Sequence, residues 1–254
     1  GPAERNYLTL ERGLVTAIVS DVQNQPGALP LLQYALTELF ERREGALLTL
    51  RAYQDIGGVL GALARRAEEI YIQLSHNERE ATRQLFLRLV TLGEGTEDTR
   101  RRALQSEMLA ASESPAVMQA VIETFGSHRL LTYDRDPITR MPTVEVAHEA
   151  LIREWQRLRE WLDESREDIR LQRLLSNATN EWQEANRDPS FLLRGGRLIQ
   201  FEEWAKTSTI AISQQECDYL GASIAERERQ EASERARQEN ELALERRAKQ
   251  RARL

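Results

Sequence analysis

The stretch Thr143–Trp161 reads TVEVAHEALIREWQRLREW and carries two periods in succession. Val144 and Val146 alternate with Glu145, the two-residue repeat of a strand with one buried face. From His148 onward the repeat turns helical, with Leu151, Trp155, Leu158, Trp161 and Leu162 on one side. A strand is therefore expected to run into one helix, with His148 at the junction. The first N–H groups of a helix have no intrahelical acceptor and lie at the positive end of its dipole, so this junction is a candidate anion site.

Just upstream, Leu130–Tyr133 reads as a strand, and a polar loop containing Pro137 joins it to Thr143–Val146 as a β-hairpin. Helices lead into that hairpin. Ser75 and Glu78 form a capping box ahead of Leu85, Phe86, Leu89 and Val90. A short helix covers Gln105–Ala111, and Ser114-Pro115 opens another, which carries Val117, Val121, Ile122 and Phe125 and stops at Gly126. Three helices followed by a hairpin is the order of a winged helix, assigned to residues 75–164 with the hairpin as its wing.

Residues 8–74 read as a small helical domain behind a flexible lead over 1–7. Leu10, Leu14, Ala17 and Ile18, with Val15, Val19 and Val22 beside them, make the apolar side of a first helix that stops near Asn24, before Gln25-Pro26-Gly27. Pro30 starts the second, because a proline in the first turn gives up no hydrogen bond; Leu32, Ala35, Leu36, Leu39 and Phe40 face inward behind it. Leu48–Ile56 and Val59–Leu74 are the third and fourth, separated by Gly57-Gly58.

Downstream of Trp161, residues 165–212 read as a helical connector. Ile169, Leu171, Leu174, Leu175, Ala178 and Trp182 mark one helix, broken at Asp188-Pro189, and Leu198, Ile199 and Trp204 mark a shorter one. Residues 213–254 read as a single long helix. Beyond Glu226 large apolar residues nearly vanish, while Glu231 and Arg235, or Glu245 and Lys249, stand four apart as ion pairs do on a solvated helix. The expected fold class is mainly α: a small helical bundle, a winged-helix domain with one β-hairpin, then a helical connector ending in a long charged helix.

The 254 residues carry a net charge of −6 with 30% charged side chains, which argues against a basic nucleic-acid surface. No apolar run approaches the ~18 to 20 residues of a membrane helix. Cys217 is the single cysteine, so neither an internal disulfide nor a cysteine zinc site is expected, and a cytoplasmic setting follows. The Gly-Pro start and the end inside a charged run suggest a piece of something longer. No G-x-x-x-x-G-K-[ST] loop or G-x-S-x-G elbow occurs, and His76, His128 and His148 are far apart in sequence. The adjacent acids Glu68-Glu69 and Glu202-Glu203 point in different directions on a helix and read as solvated. No catalytic or metal-ligating residue is assigned, and the chain by itself is not expected to be an enzyme.

A winged helix raises the question of DNA, which its third helix would enter. Ser112–Ser127 holds no lysine or arginine and two glutamates, so sequence-specific nucleic-acid binding is not expected, although Arg100–Arg102 and Arg129 could touch phosphate.

PGALPLLQYALTEL (Pro26–Leu39), LTLRAYQDIGGVLGALARRAEEIY (Leu48–Tyr71), VEVAHEALIREW (Val144–Trp155) and DPSFLLRGGRL (Asp188–Leu198) together resemble the C-terminal part of a bacterial STAND NTPase of the nSTAND1 type, which usually precedes WD40 repeats. The resemblance implies a regulatory helical and winged-helix module of an ATP/ADP signalling switch. Its partners would be its own nucleotide-binding domain and a C-terminal sensor, with homo-oligomers forming on activation and no membrane involved. ADP or ATP would be the cofactor of the intact parent, and none is expected to stay tightly bound to this part alone. Two positions carry over from the wider class: Pro30 in GALP, which would pack on the adenine, and His148 in VAHE, which would hold the β-phosphate of ADP. Here Ala147 and Glu149 flank the histidine where the class has methionine and aspartate. A winged-helix DNA-binding regulator, or a structural adaptor between domains, are the alternatives.

Overall fold

The computed structural model describes residues 7–23, 28–112 and 114–251, so the breaker at Gln25-Pro26-Gly27 lies outside the described residues. The fold is mainly α, with twelve α-helices and three small sheets among the described residues. The chain divides after Arg166 into two compact units.

The first unit opens with a feature that periodicity hides: β1 (Thr9–Leu10) pairs in parallel with β2 (Leu47–Leu48). Leu10 and Leu48 are thus strand residues, not helical ones. Gly13, at φ 90°, turns the chain into α1 (Leu14–Val22). The Thr49 hydroxyl accepts from the Ala52 N–H at 3.1 Å, so α3 (Leu50–Asp55) can begin only after it. Between them lies α2 (Ala28–Glu41), which buries Leu31, Tyr34, Ala35 and Leu39. The expected inward faces are narrower than their apolar stripes. Val15 and Val19 of α1 and Leu36 and Phe40 of α2 are exposed, and the Arg43 guanidinium covers the Phe40 ring at 4.0 Å. The centre of this part is α4 (Gly58–Gln73), which packs on α1 and α2. It starts at Gly58, φ 67°, where a Cβ would press on Asp21 Oδ2, the acceptor of a 2.5 Å hydrogen bond from the Tyr53 hydroxyl.

Next comes α5 (His76–Arg88), opened by the expected Ser75–Glu78 capping box. The pair β3 (Val90–Thr91) and β4 (Thr99–Arg100) is antiparallel, and β5 (Ala103–Leu104) leads directly into α6 (Gln105–Ala110). After α7 (Pro115–Ser127), β6 (Leu131–Arg135) and β7 (Pro142–Val146) form the hairpin, with Leu131 opposite Val146 and Tyr133 opposite Val144. The hairpin is part of a three-stranded sheet in the order β5-β7-β6, with Ala103 opposite Val144. Gly126, read as a helix stop, lies inside α7. The Tyr133 side chain occupies the space its Cβ would need, and the Tyr133 hydroxyl donates to Ile122 O at 2.7 Å.

The single helix expected beyond His148 is two, α8 (Ala150–Glu154) and α9 (Gln156–Glu164), with the break at Trp155, whose ψ is 100°. Burial explains it. Trp155 is 2% exposed, and its ring meets Phe86 at 5.1 Å, Trp161 at 5.5 Å, Phe125 at 6.2 Å and Tyr71 at 6.3 Å. Its indole N–H donates to Glu68 of α4 at 2.9 Å. The extended residue redirects the chain so that Leu151 before it and Leu158, Trp161 and Leu162 after it are all buried.

The second unit takes in α10 (Arg166–Glu184) beyond its first residue, a 3-10 turn at Pro189–Phe191, α11 (Gly195–Thr207) and α12 (Gln214–Arg251). Leu175, Trp182, Leu198, Phe201, Trp204 and Tyr219 are its core. Leu174 and Ile199, expected inward, are about half exposed. Ser213 and Glu216 cap α12 reciprocally, and the buried Glu216 also accepts from Gln172 at 2.9 Å. Beyond Ser223 no described residue of α12 is buried, as its charge pattern predicts. Glu231–Arg235 pairs at 3.0 Å and Glu245–Lys249 at 3.9 Å.

Candidate functional site

β7 is the middle strand of its sheet, held on both sides by hydrogen bonds, and it delivers His148 at its C-terminal end. The Ala147 N–H extends the ladder to Leu130 O at 3.0 Å, while His148 O and Glu149 O accept from Leu151 and Ile152. The histidine backbone is thereby fixed. Its ring is half-buried and makes no hydrogen bond or ion pair among the described residues.

Arg100, on β4, supplies what the sequence did not place beside it. Its Nη1 donates to Ala147 O at 3.3 Å and stands 4.0 Å from Glu145 Oε1. Burial, and secondarily the Arg100 charge, hold the His148 pKa below the ordinary imidazole value, so the ring is neutral near neutrality. Here the helix-dipole expectation is corrected. α8 has five residues, and its Leu151 and Ile152 N–H groups already have acceptors, so little of a helix dipole is present; the local positive charge is Arg100. A neutral imidazole N–H and a guanidinium side by side are a donor set suited to phosphate oxygens. Arg100 was legible only as one of a basic triplet, 47 residues before its contact at Ala147.

Pro30 is exposed in the first turn of α2, the starter position expected of it. One turn on, the buried Tyr34 hydroxyl donates to His128 O at 3.2 Å, tying α2 to the end of α7; burial and neighbouring Glu38 push its pKa up. Among the described residues no hydrogen bond or ion pair links Pro30 to His148. Their elements are joined through α4, which packs on both α2 and α8.

Several of the other candidate groups are held in structural pairs, while Arg129 is exposed. Arg101 is bidentate on Glu107, both bonds at 2.9 Å, and Arg102 holds Asp134 at 3.0 Å and Glu145 at 3.2 Å. Glu68, Glu69 and Glu202, read as solvated, are paired as well. Glu68 accepts from Arg157 Nε and Nη2, at 3.0 and 2.5 Å, and from the Trp155 indole, which holds its carboxyl below the usual range. Glu69 takes Arg42 at 2.8 Å and Glu202 takes Arg227 at 2.6 Å. Glu203 is exposed as expected. A cleft of about 440 Å³ beside Glu68 and Trp155 is lined also by Glu154, Arg157 and Glu160, but its central carboxylate is already saturated with donors. Among the described residues no three His, Cys, Asp or Glu side chains group as a metal would need, and no helix is long and apolar enough to cross a membrane.

A family model described as novel STAND NTPase 1, nSTAND1, matches residues 1–190. The chain belongs to the nSTAND1 family. The match takes in all of the first unit and, in the second, α10 and the start of the 3-10 turn. No curated protein and no solved structure matches the chain. The β7–α8 junction thus holds, next to an arginine and at the end of a central strand, a backbone-fixed histidine whose ring makes no hydrogen bond or ion pair among the described residues.

Proposed function

We propose that this nSTAND1 chain is the regulatory helical and winged-helix part of an ATP/ADP switch. ADP bound to the parent's own nucleotide-binding domain would close that domain on the helical part. His148 would hold the β-phosphate with Arg100 behind it, and Pro30 would pack on the adenine. The observation that carries the reading is the half-buried His148 ring at the end of β7 beside Arg100, without a hydrogen-bond partner among the described residues. The three helices and three-stranded sheet of residues 76–146 would be the winged helix that swings with that histidine, and α12 would lead to a sensor domain of the WD40 kind. The nucleotide acts by binding one arrangement better than the other, so its exchange releases the closed state and permits oligomers. ATP hydrolysis by this chain alone is not part of the proposal, nor is sequence-specific DNA binding.

The test is the parent protein. Denatured after purification, it should release ADP detectable by mass spectrometry. His148→Ala should weaken ADP by roughly ten- to a hundredfold, the scale of a hydrogen bond to a charged group. The melting temperature of the chain described here should move by only a degree or two, because the half-buried ring makes no hydrogen bond or ion pair among the described residues. A variant that unfolds, with unchanged ADP affinity per folded parent molecule, would overturn the assignment of His148.

A further inference from the structure

In the first unit Arg42, Arg101, Arg102 and Arg157 each hold a carboxylate. In the second unit Arg194 and Arg197 differ. Neither has an acidic partner within ion-pair distance among the described residues; Arg194 donates only to Pro189 O, at 3.3 Å. Both line a cleft of about 380 Å³ whose apolar wall includes Leu174 and Phe191, 46% and 47% exposed, and the Tyr219 ring. Glu181 is the only acid among its lining residues. No side chain caps α11, so the positive end of that 13-residue helix adds to the two guanidiniums. The cleft is built to take a large apolar side chain flanked by carboxylates.

The outer half of α12 presents such a group. Leu242 is 54% exposed, and Glu239 and Glu245 stand three residues to either side, on the same helical face. Glu239 has no ion pair among the described residues, and Glu245 has only the loose contact with Lys249. Along one continuous helix, Leu242 is about 35 Å from Tyr219 at ~1.5 Å per residue, so it cannot reach its own cleft while α12 is intact. We infer that Leu242 of a second copy of this chain docks between Leu174 and Phe191, with its Glu239 and Glu245 against Arg194 and Arg197. The contact is heterologous: each copy offers a cleft at one place and a helix at another, so copies join head to tail. It does not depend on nucleotide or on the role of His148.

Sedimentation velocity of the full 254-residue chain, from micromolar to near-millimolar concentration, tests this. The expected result is a mass that rises with concentration and falls with added salt. Arg194→Glu/Arg197→Glu and, separately, Leu242→Ser should each weaken association about tenfold or more, the scale of losing desolvated charge or apolar anchors. Leu244→Ser, on the other side of the helix, should leave it unchanged. All of these positions are exposed, and circular dichroism checks that the fold is kept. A chain carrying Arg194→Glu/Arg197→Glu together with Glu239→Arg/Glu245→Arg should regain association. A wild-type chain that stays monomeric throughout, association that survives the arginine reversals or Leu242→Ser, or a charge swap that restores nothing, would each overturn the inference.

Discussion

Trp155 and the outer half of α12 are two ways of keeping a helix in place, and they differ in what holds them. At Trp155, α4, α5, α7, α8 and α9 converge on one ring, and the only polar atom of that ring is satisfied by a carboxylate that also binds Arg157. Beyond Ser223, α12 has no core at all; it stands on residue propensity and pairs four residues apart. The difference teaches where free energy is concentrated. A buried junction couples many elements, so one substitution is felt throughout the unit, whereas a solvated helix distributes small terms that can be lost singly.

The sharpest test of that contrast is Trp155→Ala. It removes the ring, leaves Glu68 facing a cavity and should cost about 3 to 5 kcal/mol of unit stability, measured by urea unfolding. A loss below ~1 kcal/mol would erase the distinction between the two regions. Gly126→Ala should come next, at about 1 to 3 kcal/mol, because the Tyr133 hydroxyl must leave Ile122 O to make room. A pH series sharpens the electrostatic side. Arg157 and the Trp155 N–H hold the Glu68 pKa below its ordinary value, so this group's stabilisation is complete above about pH 4.3 and disappears as pH falls through the lowered folded value. The stability gap between wild type and Glu68→Ala should therefore be constant near neutrality and shrink on acidification; a gap that widens in acid would contradict the pairing. Last, Glu231→Ala breaks an exposed pair with Arg235 and should change global stability by under ~0.5 kcal/mol, with a smaller effect still in high salt.

The same contrast governs how much the sequence could tell. Where one residue type dictates a local outcome, the reading was direct: the Ser75–Glu78 box, Pro115 at the start of α7, the hairpin strands and the charged end of α12 all stand where spacing put them. Features made by partners distant in sequence were not legible. β1 and β2 have two residues each, too few for a period, and β5 is recognisable only through Val144 on the other side of it. Trp155 continued a helical stripe without a flaw; its break comes from the rings packed round it, not from a glycine or proline. At the candidate site His148 was visible from the change of period, but Arg100 needed β4 to be folded before it had a neighbour. Glu68 and Glu69 looked solvated because Arg157 and Arg42, which hold them most closely, stand 89 and 27 residues away in sequence.

The tryptophans also make the protein its own reporter. There are four, and they fall two to each unit, Trp155 and Trp161 before the division after Arg166, Trp182 and Trp204 beyond it. All are buried. Intrinsic emission therefore shifts to the red when either unit opens, and replacing one pair with phenylalanine silences that unit while leaving the other audible. Whether the two melt together or in turn could be followed by light alone, without a label attached anywhere on the chain.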